Sequence, residues 1–212
     1  MRSEVSLFTN GNGTANTVLM PGLYRLFPSA VKSNETFTLD DAALRHSFKL
    51  LEEIDLVSSP SHTFGDAFQA LMGPRLRGDK GQFFTPRSVV RAMVDILAPE
   101  DGMRVIDPAC GTGGFLSAVL DWWKREGARG TVVGIDKDSD LALLASALST
   151  VHVGSGEVVV HNANSLTIDG FAGLGLALGS FDRVLTNPPF GSKIGITDKA
   201  VFGLLPVSWT RR

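Results

Sequence analysis

The sequence predicts an α/β fold in which a parallel, doubly wound sheet follows a small helical segment. Three observations predict it. Short apolar stretches of strand character recur at 104–107, 131–136, 157–161 and 182–186. Helical stretches at about 115–126 and 139–151 separate the first three, and strands divided by helices of this length pair in parallel. A glycine-rich turn follows the first strand, the place where an open parallel sheet binds its ligand. Strand order 3-2-1-4 then makes strands one and four neighbours, so the loops at their carboxyl ends open into one crevice.

Upstream of the sheet, residues 1–36 carry little pattern, and the polar run TNGNGTANT at 9–17 reads as loop or frayed terminus. Thr38 and Asp41 have the spacing of a capping box, with Asp in place of Glu or Gln. Leu44, Phe48, Leu51 and Val57, flanked by Leu50 and Ile54, form the apolar stripe of a helix that SSPS at 58–61 ends. A second amphipathic helix is expected over 63–71, stopped by Gly73 and Pro74. After a basic linker, residues 88–97 read as a short helix with Val89, Val90, Met93, Ile96 and Leu97 inward. The chain is expected to divide into a tail with helical segment, 1–78, and the sheet domain, 79–212. The glycine-punctuated run 170–179 reads as loop or short helix packed on the sheet.

Composition narrows the classes. The chain has 212 residues, 43% hydrophobic and 20% charged, which is globular and not disordered. Twenty Lys and Arg nearly balance 22 Asp and Glu, so any contact with nucleic acid needs a local patch or a partner. A single cysteine, Cys110, excludes a disulfide framework and fits a reducing, cytoplasmic compartment. Four scattered histidines give no zinc spacing. There is no signal-peptide core and no run of about 18 apolar residues to span a membrane.

The loop DPACGTGGF at 107–115 is the first functional signal. Three ligand classes use such a turn at a helix amino terminus. A phosphate loop needs Lys after the glycines, and none is there. The dinucleotide fingerprint needs a third glycine where this chain has Leu116. Asp107, directly before the loop, is unfavourable beside phosphates. It suits a ligand with a positive ammonium group, such as the methionine end of S-adenosylmethionine. Asp136, closing strand two, has the spacing of a ribose-binding acid; its alternative role is to cap the next helix.

The second signal is NPPFG at 187–191, directly after strand four. Two prolines remove two N–H donors, stiffen the backbone and push the preceding residue away from helix. Backbone carbonyls and the Asn187 amide oxygen are thereby held as acceptors, beside the flat face of Phe190. Such a site suits a planar group bearing NH₂, including a base flipped from a duplex. The alternative is an ordinary proline-rich turn.

DPACGTGGF followed by NPPFG resembles the amino-methyltransferases of DNA adenine. GQFFTPRSVVRAMVDIL at 81–97 and FGDAFQALM at 64–72 narrow the resemblance to the modification subunit of type I restriction-modification systems. It covers roughly residues 38–191 and implies a Rossmann-like methyltransferase sheet with S-adenosylmethionine as cofactor. Matched residue by residue, it implies that Phe84, Thr85 and Pro86 wall the cofactor's methionine end and that Asp107, Gly111 and Gly113 cradle it. Asp136 would take the ribose, with Lys137 or Asp138 beside the adenine ring. Asn164 stands where the family often has an acid for the cofactor's adenine amine. Asn187, Pro188, Pro189 and Phe190 would hold the target adenine. The implied partners are DNA, a specificity subunit and a restriction subunit.

The family's later strands are not legible after Phe190, so the sheet is expected to be incomplete at its carboxyl end. Two alternatives stand beside adenine methylation. One is an inactive fragment that keeps a cofactor half-site. The other is methylation of a protein glutamine or an RNA base, although the glutamine enzymes carry Tyr after Asn-Pro-Pro and lack GQFFTP. Arg75, Arg77, Lys80, Arg87 and Arg91 form either phosphate contacts or a solvated face. Cys110 reads as a packing residue.

Overall fold

The computed structural model describes residues 2–26, 31, 34–52, 63, 67, 85–150, 156–167, 171, 173–177 and 179–188. The chain divides into two compact units, Met1–Ser59 and Pro60–Arg212. The expected boundary at 78/79 lies outside the described residues, as does the expected helix over 63–71 apart from helical Thr63 and Ala67.

The first unit holds three described helices: α1 (Arg2–Thr9), α2 (Ala15–Leu26) and α3 (Asp41–Glu52). The polar run at 9–17 is therefore a turn between two helices, not a frayed end. Phe8, Ala15 and Leu19 are fully buried against Leu44, with Phe37 and Phe48 packed around them. The few apolar residues are shared among three helices, which hides the pattern in any one segment. The expected capping box is also corrected. Asp40 caps α3, accepting from the Ala43 amide at 2.9 Å. Asp41 instead accepts from the Ala15 amide at 2.8 Å, capping α2 from across the fold.

In the second unit, α4 (Arg87–Leu97) precedes β1 (Arg104–Asp107), α5 (Gly114–Glu126), β2 (Thr131–Asp136), α6 (Ser139–Thr150), β3 (Glu157–Asn162) and β4 (Arg183–Val184). All pairings are parallel and the strand order is β3-β2-β1-β4, as the sequence predicts. β1 and β2 are buried on both faces, with Val132 and Ile135 fully inaccessible, as a parallel sheet covered on both sides requires. β4 is shorter than the expected 182–186. Its pairing continues as single bonds, Asp182 N to Arg104 O and Leu185 N to Ile106 O.

One face of the sheet is covered by α4 and α5, and Trp123 anchors it, fully buried with its indole N–H donating to Pro99 O at 3.0 Å. On the other, Phe171, Leu174, Leu176 and Phe181 pack over Ile106, Val133 and Ile135. The glycine-punctuated run thus packs on the sheet as expected. On α4 the buried stripe is Val90 and Val94, with Met93 and Leu97 partly covered, whereas Val89 and Ile96 face outward. The i, i+3, i+4, i+7 spacing selects that stripe over the broader face expected.

Gly134, in the middle of β2, shows how tightly the sheet meets the glycine turn. A Cβ there would lie 2.7 Å from Leu116 Cδ1 and 2.9 Å from Cys110 Sγ. Gly134→Ala is expected to cost about 1–3 kcal/mol by overpacking, measured by urea unfolding. Combining it with Cys110→Ala is expected to recover part of that loss, because the sulfur is one of the two obstructing atoms.

Candidate active site

β1 delivers Asp107 to the carboxyl edge of the sheet, and the next six residues form a turn held from three directions. Cys110 N donates to Ile135 O at 2.9 Å. Gly111 N donates to Asp136 Oδ2 at 2.8 Å, and Ser165 Oγ donates to Pro108 O at 2.6 Å. The loops after β1, β2 and β3 are thereby tied together. Gly113 has φ +82 and caps α5 in the left-handed region, which glycine enters without steric cost. A Cβ on it would stand 3.2 Å from Ala145 Cβ on α6.

A cavity of about 70 Å³ opens over this turn. Its lining includes Thr85, Asp107, Gly111, Thr112, Phe115 and Asn187. Residues 102 positions apart meet here, and Asn187 Nδ2 donates to Thr85 Oγ1 at 2.9 Å.

Of the sequence-predicted residues, Thr85, Asp107, Gly111 and Asn187 line this one cavity. Pro86 is exposed at the amino terminus of α4, where its carbonyl accepts from Val89 and Val90. Gly113 shapes the turn from behind. Asp136 spends both carboxylate oxygens on backbone, Oδ2 on Gly111 and Oδ1 on the Asp138 amide at 2.8 Å. It does not cap α6; Asp138 does, accepting from Asp140 N at 3.1 Å. Lys137 and Asn164 are exposed, and Asn164 Oδ1 accepts from Leu166 N at 3.1 Å. Pro188 is exposed. Phe84, Pro189 and Phe190 lie outside the described residues, as do Arg75, Arg77 and Lys80.

Sequence reasoning missed Thr112 and Phe115 as lining and Ser165 as a strap. No local pattern marks Ser165, whose role exists only because β3 ends beside the turn. Cys110 is buried, and that burial pushes its thiol far above the ordinary range, as suits a packing residue.

Asp107 is only 2% exposed. Burial pushes its carboxyl up from 3.8 to about 7. The Ala109 amide at 3.0 Å and the neighbouring Thr186 hydroxyl oppose the rise, and the charge of Asp136 adds to it. No described basic side chain forms an ion pair with it. A carboxylate so poorly solvated, with its proton held to higher pH than usual, marks an electrostatically strained position beside the cavity.

The fold and the site define a parallel α/β domain with a cavity between a glycine turn and an amide-bearing loop on the neighbouring strand. The chain belongs to the N-6 DNA methylase family, whose model matches residues 59–202. It is 34% identical over 163 residues to the EcoEI type I restriction enzyme methylase subunit of Escherichia coli, covering 70% of this chain and 32% of that protein. It is 32% identical to the type II methyltransferase M.MamI of Microbacterium ammoniaphilum, covering 74% of this chain and 49% of that protein. The chain thus spans a third to a half of these relatives. A type I restriction-modification methyltransferase subunit from Streptococcus thermophilus shares the fold, with TM-score 0.65 and 21% identity, over 89% of this chain and 43% of that one. The sheet is the Rossmann-like methyltransferase sheet that the motifs implied.

The raised Asp107 makes stability depend on pH. The folded carboxyl keeps its proton to about pH 7, whereas the unfolded one releases it near 3.8. The stability from this group is therefore fully present below 3.8 and lost as pH rises through about 7. Asp107→Asn is expected to raise the Tm at pH 8, with the gain shrinking steadily towards pH 4. A pH-independent difference in thermal unfolding would contradict the assignment.

Proposed function

We propose that this chain is the catalytic part of an adenine-specific DNA methylase that uses S-adenosylmethionine, as the modification component of a restriction-modification system. The observation that carries the reading is the single cavity shared by Asp107 and Asn187. The family match favours adenine in DNA over a protein glutamine or an RNA base.

The residues present fit the cofactor. The buried, unneutralised Asp107 would receive the ammonium group, and Gly111, whose missing side chain opens the turn, would admit the methionine backbone. Gly113 keeps the turn in shape. Asp136, Lys137 and Asn164, at the ends of β2 and β3, would take the ribose and adenine, with Phe84 and Pro86 completing the wall. Bound there, S-adenosylmethionine supplies an electrophilic methyl group whose sulfur leaves as a neutral thioether. The chain's task is to position the amine. An exocyclic adenine nitrogen is a poor nucleophile because its lone pair is delocalised into the ring. An acceptor at Asn187 Oδ1 would bond one amine hydrogen and favour a more tetrahedral nitrogen. The carbonyl of Pro188 would take the other, and Pro189 would keep that carbonyl rigid while Phe190 stacks on the base. Such catalysis is positioning and proton acceptance, with no nucleophilic side chain. Arg87 and Arg91 on α4 would meet DNA phosphate. The relatives' description as methylase subunits of type I restriction enzymes supports other subunits as partners, for which a specificity subunit and a restriction subunit, in a cytoplasmic setting, are the proposed identities. Among the described residues no helix is long and apolar enough to cross a membrane.

Calorimetric titration with S-adenosylmethionine tests the cofactor half. Wild type is expected to bind and Gly113→Asp to lose binding, since the new side chain meets Ala145 at positive φ and brings a second charge towards Asp107. Equal affinity in the two proteins would remove the glycine turn from the site.

Methyl transfer to adenine-containing DNA, measured with labelled cofactor in the assembled enzyme, tests the other half. Asn187→Ala is expected to lower the rate at saturating cofactor by at least about a hundredfold, in the manner of losing one charge-stabilising group. Near-normal turnover would refute the acceptor role.

A further inference from the structure

The Asn187 side chain has two nearly isosteric ends with opposite chemistry. Its Oδ1 accepts hydrogen bonds and its Nδ2 donates them. Only the accepting end can serve an incoming amine, because Nδ2–H groups facing amine hydrogens would repel them. Shape alone does not choose between the two, so something must hold the amide one way round.

The geometry points to Thr85 as that positioning residue: its hydroxyl accepts from Asn187 Nδ2 and leaves Oδ1 as the end presented to the shared cavity. This rests on the methylase reading above and adds to it a determinant of the amide's orientation. The bond is 2.9 Å and partly buried. Both partners line the cavity that also holds Asp107. Each is set by a stiff neighbour. Thr85 precedes Pro86, which stands immediately before α4 with its φ fixed at −56, and α4 is anchored in the core through Val90 and Val94. Asn187 follows Leu185, which is 3% exposed and donates its backbone N–H to Ile106 O at 3.0 Å. The hydroxyl therefore sits at a fixed place relative to the amide. A hydroxyl can donate as well as accept, so protection of an Nδ2 proton is the observation that distinguishes this arrangement from the flipped amide. The role is distinct from walling a cofactor, because it acts on the group that receives the substrate.

Two measurements decide it. The first needs no activity. In the ¹⁵N-labelled chain, the side-chain amide of Asn187 is assigned by its disappearance in Asn187→Ala, and proton exchange with water is followed. One Nδ2 proton is expected to exchange at least about tenfold more slowly than those of exposed asparagines, as a partly buried bond requires. Thr85→Val, close in shape but without the hydroxyl, is expected to abolish that protection, and Thr85→Ser to keep it. Two protons that exchange alike in wild type, or protection that survives in Thr85→Val, would overturn the proposal.

The second is single-turnover methyl transfer to DNA in the assembled enzyme at saturating S-adenosylmethionine. Thr85→Val is expected to slow transfer roughly tenfold, with Thr85→Ser within about threefold of wild type. In an Asn187→Ala background, Thr85→Val is expected to add nothing, since a residue that acts through another has no effect once the other is gone. Independent, additive losses would show that Thr85 acts by itself and overturn the proposal. If wild type transfers no methyl to adenine, the methylase reading fails, and the exchange measurement alone decides the orientation.

Discussion

Everything in the second unit depends on β1 being paired along both edges, with β2 on one side and β4 on the other. Pairing satisfies the strand's backbone, and the side chains packed on each face of the sheet leave it no solvated side, so Val105, Ile106 and Asp107 are all within a few per cent of complete burial. The first two are apolar and stabilise the sheet by leaving water. Asp107 is not, and its burial opposes folding. The same pairing puts the turn after β1 next to the chain leaving β4. One constraint thus creates both the buried carboxyl and its neighbouring loop.

The turn tolerates Asp107 because its other polar groups are satisfied by the neighbouring strand ends and loops. Ile135 O, Asp136 and Ser165 each hold one point of it. These contacts come from β2 and from the loop after β3, so the turn's shape is a property of the whole sheet edge. Asp136 illustrates the economy of this arrangement. Both its oxygens accept from backbone amides, and each retains a lone pair for a ligand hydroxyl. Its charge also raises Asp107 further.

The first unit is built on a different principle. Its core is a handful of side chains, with Phe8 and Phe48 meeting edge-on at 6.0 Å and Arg45 lying 4.8 Å over the Phe8 ring. Arg45 also donates to the carbonyls of Phe8 and Gly13, closing the turn between α1 and α2. Such a core rests on a few long-range contacts. Periodicity within any one helix reports it poorly, and α1 and α2 were accordingly illegible in advance.

By itself the sequence determined the strands, the helices between them, their order, and the two motifs. Those features are local: β-branched runs, helical spacing, glycine where positive φ is required, and proline where a donor must be absent. Asp107, Gly111 and Asn187, which line one cavity, were singled out for the same reason. The tertiary structure alone decided what each polar atom is bonded to. It gave Asp41 to α2 and made Asp138, not Asp136, the cap of α6. It also tied Ser165 to Pro108 and set Thr85 against Asn187. Hydrogen bonds reach about 3 Å, and no spacing along a chain encodes which distant groups a fold will bring within that reach.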